Sequence, residues 1–261
     1  MRSKTPRLSK TKIEYGDYVW NFASGCLHSV DVCPVSPHCW ARSITQRFPA
    51  HYPQGFKPTI YPDALLLPLY LKKPSLILVC FMGDLFGDWQ DLNMEVNYQS
   101  LLAPERTQQR PLGEIVFNVI GARPEHTFYF LTKNPKGLIP WSPFLDNCVV
   151  GVSVCNQKMF DKAMIYLSDV EAKHKWLSFE PLLEEIKIQK GDLEDISWVV
   201  IGGQSNPIVF PKIDWVQAIL VASHNVEHTV GNDMPIWIKN NLKPFIELKW
   251  PGWKILQERP F

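Results

Sequence analysis

A chain of 261 residues that is 46% apolar and 20% charged can bury a substantial core, which excludes a disordered or fibrous protein. Its 27 Lys and Arg stand against 26 Asp and Glu, and a formal charge of +1 excludes a global field drawing the protein onto nucleic acid or an anionic membrane. No run of about 18 apolar residues occurs, and the basic stretch Met1 to Arg7 lacks the apolar core of a signal peptide, so no membrane partner is expected and the expected compartment is the cytoplasm.

In chain order, a short irregular segment over residues 1–12 precedes a first strand near Tyr18 to Ala23, and a cysteine-bearing loop follows. Leu76 to Met82 is a β-rich apolar run ending in Gly83-Asp84. Residues 91–102 carry apolar side chains at helical spacing, and 103–126 read as a polar connection. Thr127 to Leu131 then runs into Thr132-Lys133-Asn134-Pro135, and Cys148 to Val154 into Cys155-Asn156-Gln157. A helix is expected over Gln157 to Val170, followed by a strand from Lys175 to Phe179 that ends at Glu180-Pro181. After a polar connection over 183–196 comes the strand Ser197 to Ile201 with Gly202-Gly203-Gln204-Ser205 behind it. A helix over Asp214 to His224 leads to a last strand, Pro235 to Ile238, ending at Lys239-Asn240, and residues 241–261 form a C-terminal extension.

Runs of four to seven apolar residues without strict alternation suit strands buried on both faces, as parallel sheets require. Strand then helix, repeated, predicts an α/β protein with mostly parallel strands: a partial or irregular (β/α) TIM-like barrel forming one domain over 1–261, with a doubly wound sheet as the runner-up. Barrels gather their chemistry on the loops after the strands' C-terminal ends. Asp84, Lys133, Asn156, Glu180, Gln204 and Lys239 all fall on such loops and are expected at one mouth.

Cys26, Cys33 and Cys39 fall on the loop after the first predicted strand, in a segment rich in Pro and Ser. Three thiolates from one loop can ligate three irons of a [4Fe–4S] cluster and leave the fourth open to the amino and carboxylate groups of S-adenosylmethionine (SAM). His28 and His38 lie among them, so a Cys₃His zinc site competes with the cluster. Buried structural cysteines are the third reading. Cys80 and Cys148 sit inside apolar strands and are expected to act as small hydrophobes, and Cys155 as a core or rim residue.

Seven ordered blocks carry a resemblance. They are Thr11 to Tyr15 with Trp20-Asn21, Gly25 to Arg42, Phe81 to Asp88, His126 to Pro135, Gly151 to Val154 with Asn156-Gln157, Ser178 to Leu182, and Val200 to Ser205. Together they resemble a phage-type, radical-SAM-like family with a three-cysteine motif, distantly similar to spore photoproduct lyase. This chain departs from the family pattern in separating the last two cysteines by five residues, Pro34 to His38, where members usually have two. The resemblance implies a radical-SAM enzyme with metal ligands Cys26, Cys33 and Cys39. It further implies that Asp84 accepts from the SAM ammonium beside Gly83, that Asn156 meets a ribose hydroxyl, and that Gly202, Gly203 and Gln204 lie along the methionine or adenine part. Glu180 would position substrate or move a proton, and Lys133 and Lys239 would recognise a phosphate or carboxylate. An electron donor such as flavodoxin or ferredoxin and a nucleotide or nucleic-acid substrate complete the expectation.

Overall fold

A computed structural model of the chain describes residues 7–89, 91–99, 105–226 and 234–260. It divides into two compact units, Met1–Val149 with Glu171–Lys173, and Val150–Val170 with His174–Phe261. The chain is mixed α/β, and the pairings among its eight principal strands are mostly parallel. No helix among the described residues is long and apolar enough to cross a membrane.

In the first unit the strands are β1 (Leu8–Lys10), β2 (Tyr18–Trp20), β3 (Ala23–Ser24), β4 (Thr59–Ile60), β5 (Leu76–Val79), β6 (Glu95–Gln99), β7 (Thr107–Pro111) and β8 (Thr127–Thr132), and the helices are α1 (Trp40–Arg47) and α2 (Leu112–Gly121). The order β1-β2-β5-β8 has β1 antiparallel to β2 and the other neighbours parallel, with Trp20 opposite Val79 and Ile77 opposite Phe128. Ile77, Leu78, Phe128, Tyr129 and Phe130 are buried, as expected of strands covered on both faces. Trp20 fills the space between Phe22, at 4.6 Å, and Phe128, at 5.9 Å, and its indole N–H donates to the Ala64 carbonyl at 2.8 Å. Burying aromatic and aliphatic side chains of this size stabilises by about 1.5–3 kcal/mol each.

Two expectations in this unit are corrected. The helix expected over residues 91–102 is instead β6, hydrogen-bonded antiparallel to β7 with Val96 opposite Arg110; residues 100–102 lie outside the described residues. Val96 is buried between exposed Glu95 and Asn97, a period of two that the longer helical window concealed. The helix lies inside the supposed polar connection 103–126, of which 103 and 104 are outside the described residues. There α2 buries Leu112, Ile115, Val116, Val119 and Ile120, the i, i+3, i+4, i+7, i+8 stripe of an amphipathic helix. The strand expected over Tyr18 to Ala23 is broken into β2 and β3 around Asn21 and Phe22.

β9 (Cys148–Ser153) carries the chain into the second unit, where α3 (Gln157–Ser168), β10 (His174–Phe179), β11 (Trp198–Ile201), β12 (Gln204–Ser205), β13 (Ile208–Val209), α4 (Ile213–His224), β14 (Ile236–Ile238) and α5 (Lys243–Lys249) follow. The order is β9-β10-β11-β14, with β10, β11 and β14 parallel in register, Ser178 opposite Val200 and Ile201 opposite Ile238. The Trp176 and Trp198 rings lie 4.9 Å apart and are fully buried, the core role that their strand pattern indicated. Gly151 makes room for Trp176, because a Cβ there would fall 2.2 Å from its indole nitrogen.

Candidate cofactor site

The cysteine loop of the first unit starts where β3 ends. Gly25 there has a φ of +89°, a conformation that costs an L side chain strain, and a Cβ would lie 2.4 Å from the Lys57 carbonyl oxygen. Beyond β5, Cys80 turns the chain into the segment Met82-Gly83-Asp84. The two loops run side by side: the Gly25 N–H donates to the Met82 carbonyl at 3.1 Å, and the Asp84 N–H donates to the Gly25 carbonyl at 3.2 Å. A Cβ on Gly83 would sit 2.2 Å from the Gly25 oxygen. The close approach expected at Gly83 is thus made by the backbone of Gly25. The Asn21 side-chain oxygen accepts from the Met82 N–H at 3.2 Å and completes the seam.

Asp84 fastens the site. Its Oδ2 accepts from His28 Nε2 at 2.7 Å and from the Lys133 N–H at 2.9 Å, and its Oδ1 accepts from the Thr132 hydroxyl at 2.7 Å and the Phe86 N–H at 3.1 Å. Four protein donors therefore occupy the carboxylate on which the sequence placed a SAM ammonium. The His28 and Asp84 side chains are each 7% exposed. Burial drives Asp84 upward, but the hydrogen bond and charge of His28, with the Lys133 and Thr132 donors, hold it below the ordinary carboxylate value. Burial likewise pulls His28 down, yet hydrogen bonds to Asp84 and Cys26 and the charges of both outweigh it and hold the ring up to about 10.

Cys26, Cys33 and Cys39 are free thiols, each half-buried. The Cys26 Sγ accepts from the His28 N–H at 3.3 Å, and its own N–H donates to the Phe56 carbonyl. Cys33 follows a turn in which its N–H donates to the Ser29 carbonyl at 2.9 Å. Cys39 is the N-cap of α1, where free backbone N–H groups favour a negative group. Burial pushes the Cys33 thiol above its ordinary value, while the Lys133 charge pulls it down and the charges of Cys26 and Cys39 push it up. Among the described residues no group of three or more His, Cys, Asp and Glu side chains is arranged about a single metal ion. A four-iron cluster would place each thiolate on a different iron, and three thiols are the number it takes when one iron is left open. The zinc alternative takes its fourth ligand from His28 or His38; the His28 Nε2 is bonded to Asp84, and His38 is exposed.

The remaining residues form a separate group in the second unit. Lys239 Nζ pairs with Glu180 Oε1 at 2.6 Å, their side chains 21% and 17% exposed. Ser178, at the end of β10, donates its hydroxyl to Glu180 Oε2 at 3.1 Å, and Ser153 Oγ donates to the Glu180 carbonyl at 2.9 Å. Gly202 leaves room for the pair, since a Cβ would lie 2.8 Å from Glu180 Cγ and 3.1 Å from Lys239 Cδ. Gly203 exchanges hydrogen bonds with the Asn241 side chain, and Gln204 opens β12. Asn156, the residue that the resemblance places near a ribose hydroxyl, caps α3, its Oδ1 accepting from the Met159 N–H at 2.9 Å. Cys80, Cys148 and Cys155 are buried, in line with the core reading, and burial pushes Cys148 up to about 12.

Sequence reasoning missed the pairing of His28 with Asp84 and the hydroxyls of Thr132 and Ser178, because their partners lie 56, 48 and two positions away with no periodic signal linking them. A family profile described as Protein of unknown function (DUF5131) matches residues 10–229. No curated protein and no solved structure matches the chain.

Proposed function

The chain belongs to the DUF5131 family of proteins of unknown function, and from that premise we propose that it is a radical-SAM iron–sulfur enzyme acting on a nucleotide or nucleic-acid base. The observation that carries the reading is the group of three half-buried free thiols on the one loop between β3 and the first turn of α1. When bound there, a [4Fe–4S] cluster with one open iron supplies one-electron cleavage of SAM to methionine and a 5′-deoxyadenosyl radical.

In this reading Cys26, Cys33 and Cys39 hold the cluster. Gly83 and Asp84 tie the cysteine loop to the end of β8. The Lys133 charge favours the ionised form of Cys33. Glu180 and Lys239 recognise substrate: an incoming phosphate or carboxylate competes with Glu180 for the Lys239 ammonium, and the displaced carboxylate is then placed to accept a proton. Asn156, Gly202, Gly203 and Gln204 shape the second unit's loops around that pair. The fold expected for such an enzyme is the partial (β/α) barrel of one domain. Its support here is that Asp84, Lys133, Asn156, Glu180, Gly202 and Lys239 each follow the C-terminal end of a strand. The electron would come from a flavodoxin- or ferredoxin-type donor, and the nucleotide preference rests on family resemblance alone.

The test is to reduce anaerobically prepared protein with dithionite in the presence of SAM and measure 5′-deoxyadenosine. The reading predicts its formation in wild type and an unchanged iron content in Glu180→Gln and Lys239→Met. A cluster-bearing protein that never cleaves SAM would remove the radical chemistry. Colourless protein with stoichiometric zinc would favour the alternative, a non-redox protein that recognises nucleic acid or a protein partner.

A further inference from the structure

The contacts around Cys26 assign a task to His28 that ligand chemistry does not require. The His28 main-chain N–H donates to the Cys26 sulfur at 3.3 Å, and the His28 ring is tied by Nε2 to Asp84 at 2.7 Å. Asp84 is itself held by Thr132, by the Lys133 N–H and by the Phe86 N–H. A hydrogen bond of the main chain to a thiolate is therefore clamped in place from the end of β8. His28 has no other role once the three thiols are the ligands, and Asp84, which ties the loop to the end of β8, is its anchor.

We infer that His28, anchored by Asp84, is a positioning residue that raises the reduction potential of the cluster by holding an N–H donor on the Cys26 thiolate. The inference rests on the proposed iron–sulfur reading. Reduction adds one negative charge to the cluster, and a donor aimed at a ligating sulfur stabilises the more negative state. Without the ring's anchor the loop from Cys26 to His28 loses its tie to Asp84, and the donor is no longer held against the sulfur. The thiols themselves are untouched, so the cluster should still be bound while its potential falls.

The experiment compares wild type, His28→Phe and His28→Gln, each reconstituted anaerobically. Iron and sulfide are determined first, and the midpoint potential is then read by an electron paramagnetic resonance titration against dithionite. His28→Phe fills a similar volume without a donor for Asp84, and its midpoint is expected below that of wild type. His28→Gln keeps a side-chain amide donor and is expected in between. Should the Phe variant fail to keep iron, the comparison of Gln with wild type decides: a lower midpoint supports the inference and an equal one overturns it. Equal midpoints in all cluster-bearing proteins overturn the positioning role alone. Wild-type protein without iron or sulfide removes both this inference and the function beneath it.

Discussion

At the scale of single residues, the division between loop and core cysteines is sharp. Cys26, Cys33 and Cys39 are half-buried on one loop, whereas Cys80 and Cys148 are buried among strands. Replacing any one of the first three with Ala is predicted to abolish iron retention after anaerobic reconstitution, and Cys80→Ala to leave it unchanged; equal iron in all four variants would refute the assignment. The grouping of these cysteines was legible because they are close in sequence and sit in a segment unlike a core strand. What fastens them was not legible, because Asp84 reaches the loop only through the fold, across the Gly25 and Gly83 backbones. Away from the site, His126 is fully buried, and neither ring nitrogen makes a hydrogen bond of good geometry. Burial lowers its pKa from the ordinary 6.5, and Arg123 adds to this, outweighing the upward pull of Glu125 and of the Leu71 carbonyl. The folded state therefore favours the neutral ring, and the unfolded chain binds the extra proton. This contribution to stability is complete above pH 6.5 and is lost as pH falls from there through the lower folded value. Denaturant unfolding should show wild type losing more stability between pH 7.5 and pH 5 than His126→Phe, which has nothing to protonate there; parallel losses would contradict it.

At the scale of elements, the strands were read well because a run such as Cys148 to Ser153, buried at every position, leaves few other readings. The helix Gln157–Ser168 was equally plain, with Met159, Phe160, Ala163 and Leu167 on its buried face. The failure fell between Asp91 and Gly121, where a hairpin and a helix exchanged places. Glu95 to Gln99 is polar enough that its single buried residue, Val96, gave no strand signal by itself, and its pairing with Thr107–Pro111 is a non-local fact. Pro111 immediately before α2 is compatible with starting a helix. A second lesson concerns Asn156, which lies at a strand end yet serves as a cap. Asn156→Ala should lower stability by about 1 kcal/mol, read from the denaturant midpoint, with iron content and SAM cleavage unchanged. A selective loss of SAM affinity at unaltered stability would instead return Asn156 to the cofactor.

At the scale of the whole molecule, the polar residues that the sequence placed at strand ends fall into two groups, each complete within its own unit. Asp84 and Lys133 belong to the thiol loop's surroundings, and Glu180, Gly202 and Lys239 to a paired charge in the second unit. In the proposed reading the first group serves the cluster, and the second offers a cation and a carboxylate to the substrate. A Lys–Glu pair at a strand end suits a phosphate and a carboxylate alike. The account stands or falls on the inorganic group bound at Cys26, Cys33 and Cys39. The most direct measurement is the iron and acid-labile sulfide content of the full chain purified without exposure to oxygen. The account predicts about four of each per chain, and protein free of both would contradict it.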